Sequence, residues 1–286
     1  MRYRPRCCER SFAPIAILAG MVYVEVDRNV RLYAQDLGSG NPVVLVAGFG
    51  LDHQVWDRQV RVLSERHRVI CVDQRGHGLS DKPLGGYGVE RLALDLRNAV
   101  DQLGVRRCAL VGWSFAGQVA FKVAADDAAL VSRLVLVGSN AVRASRSADF
   151  PFGVEPEKLT PPLAAAEKSD RLRARRETIA RGFASPPAED TMRWLLDRSL
   201  QMPSWAALAC YSSMLYTDLI GHLPRVTMPV LQVIGLADPV QSAKGARWLN
   251  EHLADARLVE IEGCGHYPMI EAPDEFDAAL LDFLAD

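Results

Sequence analysis

Residues 107–117 read RCALVGWSFAG, and the rest of the chain can be organised around them. Cys108 to Val111 are an unbroken apolar run, the composition of a strand buried on both faces. Helix-forming residues follow from about 115 to 125 with no linker between. A strand that passes straight into a helix forces the residue at the junction into a tight, strained turn with its side chain exposed. Ser114 occupies that junction. Strand and helix then lie so close that their flanking positions must be small. Gly112 meets that demand on one side, and Ala116 with Gly117 beside it on the other. A serine that merely caps a helix has the same local pattern, so the neighbouring chain must decide between the two.

Outward from this stretch, strand and helix patterns alternate. Residues 22–26 and 30–36 predict a hairpin with its turn at Asp27, Arg28 and Asn29. Strand-like runs follow at 42–46 (PVVLV) and 67–73 (HRVICVD), and after the serine at 133–138 (RLVLVG), 229–235 and 257–261. Helical periodicity falls at about 55–64, 89–103, 244–253 and 273–285; in the second of these Leu92, Leu96, Val100 and Leu103 share a face. Strands alternating with helices imply a mostly parallel sheet covered on both sides. The alternation stops over 141–224, which holds a Pro- and Ala-rich stretch from Pro151 to Pro162 and helical segments at 167–182, 189–200 and 204–215. This predicts a core of 21–140 and 225–286 with a helical cap, 141–224, inserted in one loop. Residues 1–20 are basic, then briefly apolar, and read as a tail or an upstream start rather than an export signal.

A serine hydroxyl needs a base, and the base needs an orienting carboxylate. Of the six histidines, His266 lies in GCGHYP just after the last predicted strand, at the sheet end where sites in open α/β sheets form. His67 begins a strand, His252 sits on a helix and His222 falls near the end of the cap. Asp238, in IGLADPV, follows the strand 229–235; after 133–138 stand only Ser139 and Asn140, neither able to serve as the acid. The backbone N–H of Phe115 heads a helix and faces the position where negative charge would develop. A second donor is expected from the loop AGFG at 47–50, at Phe49, with glycines on both sides that let the backbone come close.

Four stretches carry a resemblance: AGFG at 47–50, DQRGHGLSDKP at 73–83, GWSFAG at 112–117 and GCGHYPMIEAPDEF at 263–276. In order and spacing they resemble the α/β-hydrolase superfamily over residues from about 21 to 286. The branch they look most like holds cofactor-free haloperoxidases and perhydrolases, small carboxylesterases and enol-lactonases. The resemblance implies an α/β-hydrolase fold with an eight-stranded, mostly parallel sheet, and a serine hydrolase of the Ser114, Asp238, His266 type. It implies a structural role for Asp73, Arg75, Gly76, His77 and Gly78, and for Pro268 and Glu271 in the last loop. Ala47 departs from the histidine usual there, and Ala116 from the glycine usual in G-x-S-x-G. Relatives that cleave carbon–halogen bonds or epoxides carry aspartate where Ser114 stands.

The reading that follows is hydrolysis of a small-molecule carboxylic ester or lactone, mid-sized and mostly apolar, with perhydrolysis as a side activity and with no metal or organic cofactor. Gly48, Trp113, Tyr267, Trp194 and Trp205 are expected to line the pocket, within a cap also rich in Met192, Met202, Tyr211, Met214 and Tyr216. No arginine or lysine stands out as a partner for a substrate carboxylate. Two alternatives remain: a C–C bond hydrolase acting on a vinylogous diketone, and a ligand sensor on a hydrolase scaffold. A formal net charge of −2 gives no reason to expect nucleic acid as partner, and no run reaches the ~20 apolar residues of a membrane span. The basic RLRARR, 171–176, reads as a solvated helix face. Cys71 and Cys108 fall in inner strands and no Cys/His spacing suggests zinc, so a reduced, cytoplasmic protein is expected; self-association is left open.

Overall fold

A computed structural model describes residues 20–285; the tail expected over 1–20, with Cys7 and Cys8, lies almost wholly outside them. Eight strands form one sheet: β1 (Met21–Asp27), β2 (Val30–Gly38), β3 (Asn41–Val46), β4 (His67–Val72), β5 (Cys108–Trp113), β6 (Val131–Val137), β7 (Val230–Gly235) and β8 (Ala256–Ile261). Their spatial order is β1-β2-β4-β3-β5-β6-β7-β8. β2 is antiparallel to both its neighbours, and every other pair is parallel. Asn29 takes a positive φ of 59° in the β1–β2 turn, a conformation asparagine tolerates better than most residues.

The apolar runs are continuous because both sheet faces are covered. Val44, Val46, Ile70, Val72 and Leu110 face one core, built with helices α2 (Val89–Gln102) and α3 (Phe115–Asp126). Val43, Leu45, Val69, Cys71 and Val111 face the other, closed by α1 (Asp57–Leu63) and by α10 (Pro273–Ala285) near the chain end. This is the α/β-hydrolase arrangement. The register places the carboxyl ends of β5, β6 and β7 side by side, with Trp113 opposite Val137 and Val137 opposite Val233. Everything that matters chemically leaves the sheet at that edge.

Between β6 and β7 the chain builds the cap from α4 (Pro156–Ser169), α5 (Arg171–Gly182), α6 (Glu189–Ser199) and α7 (Ser204–Tyr216). α4 begins inside the Pro-rich stretch, at Pro156, and carries Pro161 and Pro162 within it. Tertiary contact overrides the low helix propensity of proline: Glu167, in the last turn of α4, is buried against Arg175 of α5. One expectation needs correction here: 167–182 is not a single helix. Asp170 breaks it at φ −150° and ψ 82°, and its carboxylate caps the next helix by accepting from the Arg173 N–H at 3.1 Å. The remaining helices, α8 (Ala243–His252) and α9 (Pro268–Glu271), flank the last strands. Among the described residues no helix is long and apolar enough to cross a membrane.

Candidate active site

Ser114 sits between β5 and α3 at φ 55° and ψ −121°, the strained junction expected from the sequence. The surroundings explain why small residues are needed. A Cβ on Gly112 would fall 2.5 Å from the Ala116 carbonyl oxygen, and one on Gly117 would collide with the Ser139 hydroxyl. Ala116 itself is fully buried, and its methyl has a place in the first core. Gly117 therefore carries the second steric demand, and alanine at 116 costs nothing visible.

The imidazole of His266 lies with Nε2 2.8 Å from Ser114 Oγ and Nδ1 2.8 Å from Asp238 Oδ2. A carboxylate can only accept, so the proton resides on Nδ1 and Nε2 is left to accept from the serine hydroxyl. The other Asp238 oxygen, Oδ1, accepts from the backbone N–H groups of Val240 and Gln241 at 2.7 and 2.9 Å. The carboxylate is thus held at both ends, and its side chain is wholly buried. His266 is also fixed through its backbone. Its N–H donates to the Gly182 carbonyl at 2.7 Å, and its carbonyl accepts from the Trp113 indole at 2.8 Å. Glu271 completes the loop by accepting from the N–H groups of Tyr267 (3.0 Å) and Ala184 (2.8 Å), in keeping with the structural role expected of it.

Gly48 packs directly on the nucleophile, where a Cβ would lie 2.8 Å from Ser114 Cβ. Among the described residues, the N–H groups of Phe49 and Phe115 donate to no acceptor. Phe115 directly follows Ser114 in the chain, and Phe49 directly follows Gly48.

A cavity of about 400 Å³ opens on Ser114 and His266. Its walls come from Phe49 and Trp113, from Val154, Leu159 and Leu163 at and before α4, from Thr178 and Arg181 on α5, from Tyr211, Met214 and Leu215 on α7, and from Pro239 to Gln241. Of the pocket residues expected from sequence, Trp113 lines this cavity. Tyr267 does not; it stands behind Trp113, its ring 5.1 Å from the indole and stacked at 4.4 Å on Phe183. Trp194 packs into the second core with Met192 and Leu195. Trp205 is half exposed and outside this cavity, with its indole N–H donating to the Pro83 carbonyl at 3.2 Å. Within the aromatic and methionine-rich cap, Tyr211 and Met214 are the members that reach the cavity. Aromatic content alone could not separate them from those that bind cap to core. Arg181 supplies the cationic wall residue that no sequence signal had marked, and Arg175, expected on a solvated face, is buried.

Next to the loop at 47–50 lies a buried polar layer. The Asp73 carboxylate accepts from the His53 N–H (2.7 Å), the His53 ring (3.0 Å) and the Leu79 N–H (2.9 Å). Arg75 pairs with Asp95 at 2.6 Å and reaches Asp27 at 3.1 Å. Gln74 donates to the Ala47 carbonyl at 2.9 Å, at the position where histidine is more usual. Burial pushes the His77 imidazole down to about 4. Burial would lower His53 as well, but its hydrogen bond to Asp73 and that carboxylate's charge outweigh it and hold His53 above the ordinary value. Neither histidine approaches Ser114, so both belong to the scaffold. Among the described residues no group of three or more His, Cys, Asp or Glu side chains could hold a metal ion.

The family model described as the alpha/beta hydrolase family matches residues 43–279. The chain belongs to that family. It is accordingly a serine-type α/β-hydrolase enzyme. A pimeloyl-[acyl-carrier protein] methyl ester esterase of Nitrosomonas europaea is 31% identical over 252 residues, covering 86% of this chain and 96% of that one. Among solved structures, an esterase of Exiguobacterium antarcticum superposes with a TM-score of 0.87 at 27% identity, covering 90% of this chain and 96% of its own. The enol-lactonase of Burkholderia xenovorans gives 0.81 at 25% identity, covering 93% and 100%.

Proposed function

We propose that this α/β-hydrolase cleaves a carboxylic ester or lactone of a mid-sized, mostly apolar compound through an acyl-enzyme on Ser114. The observation that carries the reading is the placement of the serine–histidine pair, 2.8 Å apart, on the wall of an apolar cavity beside two unspent N–H groups. The volume, about 400 Å³, lies in the range of small-molecule sites. The names of the relatives, two esterases and an enol-lactonase, point the same way.

In this mechanism Ser114 Oγ attacks the carbonyl carbon while His266 Nε2 takes the hydroxyl proton. Asp238 holds the imidazole in the required tautomer and balances the imidazolium. The oxyanion accepts from the N–H groups of Phe49 and Phe115, the second strengthened by the field at the start of α3. Collapse expels the alkoxide, which leaves with the proton from His266; in a lactone it stays tethered to the acyl group. Water, deprotonated by His266, then attacks the acyl-enzyme and releases the acid and Ser114. Hydrogen peroxide in place of water would give a peracid, which is the proposed side activity.

The test is steady-state hydrolysis of p-nitrophenyl esters from acetate to laurate and of several lactones, with Ser114→Ala as control. Turnover lost in the variant supports the reading. A folded native protein inert towards every ester and lactone would refute it and favour the C–C hydrolase or ligand-sensor alternatives.

A further inference from the structure

The loop that presents Phe49 is pinned at its start, where Gln74 donates to the Ala47 carbonyl at 2.9 Å and Gly48 packs on Ser114, but beyond that its backbone is tied by one 3.3 Å bond from the Leu51 N–H to the Gly48 carbonyl. Its neighbours, Gly48 and Gly50, carry no side chains, and Gly50 adopts φ 74°. The Phe49 ring is therefore a side-chain handle by which the cap can fix the direction of the Phe49 N–H. Two cap groups grip that ring. Tyr211 of α7 stacks on it at 4.3 Å and 25°, and the guanidinium of Arg175 on α5 lies over it at 5.5 Å.

Arg175 is itself immobilised. Its side chain is buried, and all five N–H donors are spent. Nε and Nη2 donate to the two oxygens of Glu167 at 2.8 and 2.9 Å. Nη1 donates to the Ser199 carbonyl at 2.9 Å and to its hydroxyl at 3.0 Å, and Nη2 reaches the Met202 carbonyl at 3.4 Å. The group lies close enough to the loop that a Cβ on Gly50 would come 3.4 Å from Nη1. Packing helices together does not require a desolvated ion pair, and apolar residues often do as well or better. A planar cation fixed by its full complement of acceptors does offer something apolar packing lacks, a defined place for the face of an aromatic ring.

We propose that Arg175 is a positioning residue for the Phe49 N–H, so that the cap contributes to the rate of acyl transfer and not only to the choice of substrate. This rests on the reading of Phe49 as an oxyanion donor. A misdirected donor weakens the transition state more than the bound substrate, so the loss belongs in kcat.

Arg175→Lys keeps the charge but loses the planar fork. The assay is hydrolysis of p-nitrophenyl butyrate by the full chain, with folding checked by near-UV circular dichroism. The expected result is a kcat lowered about 10- to 100-fold with KM within about threefold, somewhat less than deletion of a whole oxyanion donor. Phe49→Leu keeps the backbone N–H but removes the gripped ring. In that background Arg175→Lys should have almost no further effect, because both substitutions break one coupling. A merely structural arginine would give losses that multiply. An unchanged kcat in folded Arg175→Lys, or multiplying losses in the double variant, overturns the proposal. Should Arg175→Lys fail to fold, Ser199→Ala removes one hydrogen bond from Nη1 and is judged by the same double-variant comparison with Phe49→Leu. Ser114→Ala separates the two levels: activity surviving there sinks the acyl-enzyme reading itself, whereas a dead Ser114→Ala beside a fully active Arg175→Lys sinks only the role of the arginine.

Discussion

Replacing Asp238 by asparagine tests the proposed proton path with almost no change of shape. In the native site Oδ1 accepts two backbone N–H bonds and Oδ2 accepts the His266 Nδ1–H. An asparagine has one acceptor oxygen to offer. If it stays with Val240 and Gln241, the NH₂ faces His266, and Nδ1 must become the acceptor. The ring proton then moves to Nε2, where it points at Ser114 Oγ and removes the base. Flipping the amide restores the tautomer but sets NH₂ against two N–H groups. Each unpaired donor costs about 1–3 kcal/mol, so the active arrangement lies about 2–6 kcal/mol uphill. At about 1.4 kcal/mol per tenfold, kcat should fall between about 30-fold and 10⁴-fold; the equivalent change in a serine protease lies near the upper end, about 10⁴-fold. KM should hold within about threefold, because the Asp238 side chain is not part of the cavity wall. The assay is steady-state hydrolysis of p-nitrophenyl butyrate at neutral pH, alongside a thermal melt. A folded Asp238→Asn retaining more than about a tenth of native kcat would refute the tautomer argument.

Further outcomes follow from the same geometry. His77 is neutral in the folded protein down to about 4, whereas in the unfolded chain it takes up a proton near 6.5. Stability should therefore fall as the pH drops from about 6.5 to 4, by about 3 kcal/mol from this group, and level off below. His53 has the opposite sign: its raised value favours folding below the unfolded pKa, and that benefit is lost as pH rises through its folded value. Urea titrations across pH should show the acid slope in the native protein and lose much of it in His77→Asn, whose amide can still donate to the Arg75 carbonyl; an unchanged slope contradicts the assignment. Gly112→Ala should destabilise the protein by more than about 2 kcal/mol, because its new methyl meets the backbone oxygen of Ala116 at 2.5 Å; a melt within a degree or two of native would refute that. Arg181→Ala should lower kcat/KM about two- to fivefold for an ester ending in a carboxylate and leave its methyl-capped counterpart unchanged, the modest size reflecting the exposure of the guanidinium. Equal losses on both substrates would count against charge recognition there.

The parts of this molecule legible in sequence are those where chemistry and local backbone demand the same residues. The strand–turn–helix at Gly112 to Gly117 is one, since a serine at such a junction needs small neighbours whatever the rest of the chain does. Asp238 and His266 were legible because each directly follows an apolar strand run, which places it at one sheet edge before any coordinate is known. The cap was harder. Nothing local distinguishes Tyr211, which reaches the cavity, from Trp205, which faces outward, because both lie on α7 and the difference is the direction in which that helix docks. Arg175 was misread for a related reason. Within RLRARR every arginine looks alike, and its buried partner Glu167 sits on a neighbouring helix whose start the prolines had obscured. The second steric requirement of the elbow, Gly117 against Ser139, likewise joins residues on different elements.

The backbone bond from the His266 N–H to the Gly182 carbonyl bears on how such enzymes diversify. A cap inserted in one loop looks like an exchangeable module, free to be swapped for another by recombination or by an engineer. Here the last residue of α5 is also a support for the histidine loop, and a Cβ on Gly265 would press within 2.5 Å of both the Gly182 carbonyl and the Ala184 N–H. A transplanted cap would have to bring a carbonyl to that same point and leave the same gap for glycine. The inheritable unit is thus larger than the insertion: α5 and the segment GCGHYP are parts of one piece of machinery separated in the gene, and they should be grafted together.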